Sequence, residues 1–159
     1  MAGYSATPLA RKLGIQRGHR LALLDAPPDF EDALDALPDD VEPERYRGDA
    51  FAAVDVDGVP EATPSRADRT AAFDVIVAFT DAAQALEANF EAWAARLVPN
   101  GGLWVAWPKR ASGVPTDLDE NVIRAIGLAG GLVDNKVCAI DATWSGLRFV
   151  YRLSDRPKR

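Results

Sequence analysis

Three short apolar runs constrain this chain more than anything else in it. Leu21 to Leu24 (LALL), Phe73 to Thr80 (FDVIVAFT) and Leu103 to Trp107 (LWVAW) are too short for core helices and are continuous rather than alternating. Runs of that kind read as strands buried on both faces, which is the condition of a parallel sheet. Between them lie stretches with apolar residues every three or four positions. The clearest holds Ala83, Leu86, Phe90, Trp93 or Ala94, and Leu97, and reads as an amphipathic helix. Strands alternating with helices predict an α/β fold with right-handed crossovers.

The remaining elements fit the same plan. Thr7-Pro8 opens a short helix whose Leu9 and Leu13 share a face, and Gly14 ends it. Asp29 is expected to cap a helix with Phe30, Ala33, Leu34 and Leu37 on its inner side. Val41 to Arg47 reads as an edge strand, since Pro43 cannot donate to a ladder. Asp81 with Gln84 resembles a capping box, and Pro99-Asn100-Gly101-Gly102 is expected to end the helix it begins. Thr116 or Asp117 is expected to cap a third helix with Val122, Ile123 and Ile126 inward. Two strands then flank a tight turn at Asp141-Ala142-Thr143. In the second, Leu147, Phe149, Tyr151 and Leu153 alternate with Arg148 and Arg152, as in an antiparallel strand with one face partly wet. The expected strands are about 20–25, 41–47, 73–79, 102–107, 132–140 and 145–153. The expected fold is a Rossmann-like, mainly parallel sheet of about six strands, with helices on both faces and a C-terminal antiparallel hairpin.

The 159 residues suit a single α/β domain, 1–159. Residues 48–70 interrupt it with two prolines, two glycines and five acids and are read as an exposed acidic insertion, with a short strand near 52–56. Net charge is −6, and residues 21–70 concentrate it, with fourteen acids against four cations. An acidic chain without a basic stripe argues against nucleic acid; the basic tail Arg156-Pro157-Lys158-Arg159 is read as a solvated end. No apolar run approaches the about 18 residues that span a bilayer, and residues 1–7 lack a signal-peptide core. A single cysteine, Cys138, forms no internal disulfide. The expected location is the cytoplasm.

In open α/β sheets ligands bind outside the carboxyl ends of the strands. That rim is expected to carry Asp25, Thr80, Asp81, Lys109, Arg110, Ser112, Asp141, Thr143 and Trp144. Lys109, Arg110 and the Ser112 hydroxyl suit an anionic group, helped by the Ser112-Gly113 amides if these form a nest. Trp144 or Trp107 offers a face for a planar ligand. The alternative is a solvated turn in which Lys109 pairs with Asp141 or Asp81. Trp104 and Trp107, three apart on a strand, face opposite sides and read as core. His19, the only histidine, precedes the first strand and so lies at the opposite end from the rim. One His and one Cys do not build a usual zinc site, Cys138 reads as a buried free thiol, and no phosphate-binding glycine loop with Lys-Ser/Thr is present. Asp117, Asp119 and Glu120 read as acids facing a helix N-terminus.

The helix ending in LVPNGGLWVAWPK and the terminal hairpin resemble class I S-adenosylmethionine-dependent methyltransferases over roughly residues 18–153. GYSATPLARKLGI, GGLWVAWPKRASG and DNKVCAIDATWSGLRF also look like an uncharacterised actinobacterial family of small proteins, a resemblance that implies no activity. Methyltransferases of that class follow the first strand with an acidic-x-Gly-x-Gly-x-Gly turn and place an acid at the end of the second strand for the ribose hydroxyls. Here the turn is Asp25-Ala26-Pro27-Pro28-Asp29-Phe30, and Asp49 alone stands where the second acid would be. The expected cofactor is therefore none, with S-adenosylmethionine disfavoured. The expected function is a non-catalytic, degenerate methyltransferase-like domain that binds a small anionic ligand or a protein partner. The alternatives are an active enzyme using Lys109 or Asp25 in an atypical site, and an adaptor whose basic N-terminal helix and acidic segment meet complementary surfaces.

Overall fold

A computed structural model describes residues 8–34, 37–49, 51 and 73–152. The Thr7 cap, most of the acidic insertion with its strand near 52–56, Leu153 and the basic tail lie outside the described residues. Helix α1 is Leu9–Lys12, followed by β1 (Leu21–Leu24), a 3-10 turn at Phe30–Ala33, β2 (Glu44–Tyr46) and β3 (Phe73–Phe79). Helix α2 (Ala83–Ala94) leads to β4 (Leu97–Pro108), a 3-10 turn at Arg110–Ser112, α3 (Glu120–Ala129), β5 (Leu132–Ala139) and β6 (Trp144–Tyr151).

The six strands form one sheet in the order β2-β1-β3-β4-β6-β5. Strands β2, β1, β3 and β4 are parallel, with Leu23 opposite Val77 and Val77 opposite Trp104. Strand β6 pairs antiparallel to β4 and to β5, which closes the expected hairpin. β1, β3 and β4 thus run side by side in one direction, and their carboxyl ends form one rim.

Side-chain alternation sorts the core into two layers. Ala22, Leu24, Ile76, Ala78, Leu103, Val105 and Trp107 face α2 and α3, packing on Leu86, Phe90, Trp93 and Ile123. Leu21, Leu23, Val75, Val77, Phe79, Trp104 and Ala106 face the other way and meet Leu9, Leu13, Phe30 and Leu34. Trp104 and Trp107 therefore lie on opposite faces and are both buried. The two long helices share one face; the second is covered by α1 and the Phe30–Ala33 turn, not by full helices.

Five local expectations are corrected. Pro99-Asn100-Gly101-Gly102 does not stop α2; the helix ends at Ala94, and these residues are an irregular first half of β4. There Phe73 pairs with Leu97 while Val75 pairs with Gly102. Asp81 does not cap α2: the cap position is Ala82, and the Ala83 amide donates instead to Asp117 Oδ1 at 2.8 Å. α3 is capped by Asp119, whose Oδ1 accepts from the Val122 amide, not by Thr116 or Asp117. Asp29 makes no cap hydrogen bond, and the helix expected after it is a single 3-10 turn. The edge strand β2 is shorter than 41–47, since Val41 is buried below a Pro38 turn and only Glu44–Tyr46 reach β1.

Candidate active-site rim

The rim begins where β1 stops. Asp25 is the one non-glycine among the described residues with positive φ, at 54°. Its amide donates to Tyr46 O, and its Oδ2 accepts from the Gly48 amide at 3.0 Å, so the ends of β1 and β2 are tied together. A Cβ on Gly48 would stand 2.7 Å from that oxygen and 3.0 Å from the Trp93 ring, so a larger residue there would have to displace the Asp25 carboxylate. Trp93 Nε1 donates to Gly48 O at 2.8 Å and completes the junction.

The turn that follows is held from β2. Arg45 donates to the carbonyls of Ala26 (3.1 Å), Pro27 (2.8 Å) and Pro28 (3.2 Å) and pairs with Glu31. The hydrogen bond from Arg45 holds the Glu31 carboxyl below the usual range, and the same contact raises the guanidinium. Phe30 packs edge-on against Phe79 at 4.9 Å, and Phe79 against Trp144 at 5.0 Å, so three rings cross the rim from β1 to β6.

Two adjoining cavities open beside this row and share Asp25, Phe79, Thr80 and Ala85. One, about 220 Å³, reaches Arg47, Asp49, Asn89 and Trp93. The other, about 340 Å³, reaches Asp81 and Trp144. Of the nine residues expected at the rim, four thus meet in one crevice: Asp25, Thr80, Asp81 and Trp144. Asp49 stands there too, in an exposed pair with Arg47 at 3.0 Å.

The other five stand apart. Asp141 Oδ1 accepts from the amides of Thr143 and Trp144, both at 2.8 Å, and shapes the β5–β6 turn. It lines a separate cavity with Asp29 and Asp32. Thr143 O accepts from the Lys109 amide at 2.7 Å. The Ser112 hydroxyl donates to Lys109 O at 2.6 Å and accepts from the Val114 amide. The Ser112 and Gly113 amides donate to Lys109 O and Arg110 O. The Ser112 and Gly113 amides, which would aid an anion only as a nest, are thus taken up by the turn's own carbonyls. Among the described residues Lys109 pairs with neither Asp141 nor Asp81. Arg110 lines a cavity of about 480 Å³ with Trp107, Thr116 and Asp117.

Arg45, Arg47, Asn89 and Trp93 were not expected here. Only Trp93 carried a signal, its helical spacing, and that spacing pointed to the core. His19 sits before β1, where its Nδ1 accepts from the Gln16 amide. Burial pushes the Cys138 thiol up from its ordinary value. No cluster of three His, Cys, Asp or Glu fit for a metal occurs among the described residues, and no helix among them is long and apolar enough to cross a membrane.

No family model matches the chain, and no curated protein does. Solved structures do. A S-adenosylmethionine-dependent methyltransferase from Aquifex aeolicus superposes with a TM-score of 0.60 at 13% identity, over 89% of this chain and 86% of that one. A TehB-like methyltransferase from Corynebacterium glutamicum gives 0.52 at 13%, over 95% and 91%. An O-methyltransferase from neocarzinostatin biosynthesis, solved with S-adenosylmethionine, gives 0.59 at 13% over 95% of this chain, which spans about half (51%) of that one. The fold is methyltransferase-like.

The turn after β1 departs from the glycine-rich turn that the resemblance to methyltransferases implies. A methyltransferase-like glycine turn brings bare backbone and free amides to the ligand. Here the turn has no glycine, Pro27 and Pro28 have no N–H, and the carbonyls around them are occupied by Arg45.

Proposed function

We propose that this chain is a methyltransferase-like domain that holds a small polar ligand in the crevice between β1 and β3 and transfers no methyl group. The observation that carries this reading is the turn after β1, where Arg45 and Gly48 close on Asp25-Ala26-Pro27-Pro28. The ligand follows from the lining. Asp25, Asp49 and Asp81 outnumber the one cation, Arg47, which is already paired. Asn89 adds an amide, and Trp144 adds a partly buried ring. Carboxylates and a ring favour hydroxyl groups and a protonated amine over an anion.

An anionic ligand is the second reading, and Arg110 supports it: the side chain is exposed, lines the about 480 Å³ cavity and pairs with no acid among the described residues.

Calorimetric titration tests both. The panel is S-adenosylmethionine, S-adenosylhomocysteine, amine-bearing polyols and phosphorylated sugars. Binding of an amine-bearing polyol that is lost in Asp81→Asn and kept in Arg110→Ala is the expected result. Binding of a phosphorylated sugar that is lost in Arg110→Ala supports the second reading. Saturable S-adenosylmethionine binding accompanied by methyl transfer overturns both.

A further inference from the structure

Helices α2 and α3 leave a groove between them on the face of the sheet that carries both, lined by residues distinct from those of the rim crevice. The groove measures about 350 Å³. Its depth has a local cause. α3 presents Ala125 and Ala129 to it, and the chain then turns at Gly130, so no long side chain fills the gap. Gly130 is required there, since a Cβ would stand 2.5 Å from the Phe90 ring. Phe90 and Ile126 supply the apolar lining.

α2 contributes the charge. Glu87 and Glu91 line the groove, are exposed, and sit one turn apart. Like charges at that spacing repel and weaken a helix. Among the described residues neither has a cation for a partner. α3 offers no relief: its one cation, Arg124, is bound to Glu120 and to Asp134. An apolar slot flanked by two uncompensated carboxylates complements a segment that pairs an apolar side chain with cations one helical turn apart.

We infer that this groove docks a basic amphipathic helix from a partner protein. An aliphatic or aromatic side chain enters between Phe90 and Ile126 and covers Ala125 and Ala129, while two Lys or Arg side chains meet Glu87 and Glu91. This is helix-in-groove recognition, in which the apolar anchor supplies affinity and the flanking charges set register.

The test uses the full chain and an amphipathic leucine–lysine helical peptide as probe, with its leucine–glutamate counterpart as control. Fluorescence anisotropy measures affinity, and amide chemical shifts locate the peptide. The lysine peptide should bind, shift the amides of residues 87–91 and 125–130, and be at least about tenfold stronger than the glutamate peptide. Glu87→Lys with Glu91→Lys should weaken it about tenfold. Asp39→Lys with Asp40→Lys makes the same change in net charge elsewhere and should leave affinity within about twofold. Ala129→Trp, which fills the slot without changing charge, should also weaken binding. Equal weakening by both charge reversals reduces the effect to general attraction by an acidic protein and overturns the inference. So do shifts confined to another surface, equal binding of the glutamate peptide, or sedimentation showing that a second copy of the chain already covers the groove.

Discussion

Asp25 offers the sharpest test of the rim, because two effects at one residue pull its variants apart. Its carboxylate accepts from Gly48 N–H at 3.0 Å, and a hydrogen bond to a charged group contributes about 1.5–3 kcal/mol. Asp25 is solvent-exposed, which places the value at the low end. Its φ of 54° is left-handed, a conformation costing a residue with a Cβ about 1 kcal/mol or more relative to glycine. Asp25→Ala loses the bond and keeps the strain, for a loss of about 2 kcal/mol. Asp25→Gly loses the same bond and removes the strain, so its loss is about 1 kcal/mol. Asp25→Asn keeps an acceptor oxygen and tolerates the left-handed region, and loses about 0.5 kcal/mol. The order of stability is therefore Asp, Asn, Gly, Ala. Urea unfolding at neutral pH reads it directly, with unchanged slopes confirming that the unfolded state is not the cause. In melting temperature the alanine variant should fall by about 4–8 °C. Equal stability of the glycine and alanine variants would refute the backbone geometry. Equal stability of wild type and alanine would refute the tie to Gly48.

Other expectations follow from particular contacts. Gly127→Ala raises helix propensity by about 1 kcal/mol, yet its Cβ would stand 2.0 Å from the buried Phe149 ring. Overpacking of that kind costs about 1–3 kcal/mol, so thermal unfolding should show net destabilisation, partly recovered with Phe149→Leu. Burial raises the Glu44 carboxyl, but hydrogen bonds from Arg20 and Tyr46 outweigh it and leave the group below its ordinary value. A depressed carboxyl stabilises the fold above its unfolded titration range, and that contribution is lost as acid titrates the folded form. The urea midpoint should therefore fall between about pH 5 and about pH 3, less steeply in Glu44→Gln. The partly buried, raised Cys138 thiol should react with iodoacetamide slowly at neutral pH, its rate climbing only above the usual thiol range.

The fold was legible wherever burial and periodicity agreed. LALL and FDVIVAF are buried at nearly every position because parallel strands between two layers have no wet face. β4 was half read. Pro99 and the two glycines are strong breakers in isolation, yet the chain crosses them as an irregular strand. The Cβ that Gly101 lacks would stand 2.7 Å from Asp74 O, so the glycine permits the close approach to β3. Helix capping was misread for a related reason. A helix-capping residue usually lies next to its helix, whereas Asp117 caps α2 from 34 positions away. Local sequence has no access to that.

The site divides along the same line, and the division is chemical. Serine, aspartate and threonine are the residues that hold ligands and also the residues that build turns. Ser112 and Asp141 bond to groups two or three positions along their own turns, so their hydrogen-bonding capacity goes into shaping β4–α3 and β5–β6. A short hop of that kind is what a turn requires and needs no ligand to explain it. Asp25 is different: its partner, Gly48, is 23 residues away across two strand ends. A left-handed backbone and a carboxylate reaching across the sheet are not demanded by the β1 turn, which the prolines and Arg45 already hold. They instead fix the wall of the one crevice where Thr80, Asp81 and Trp144 also meet. The physical weight of the rim therefore lies at the ends of β1 and β3, and the cationic loop after β4, conspicuous in sequence, serves first to turn the chain.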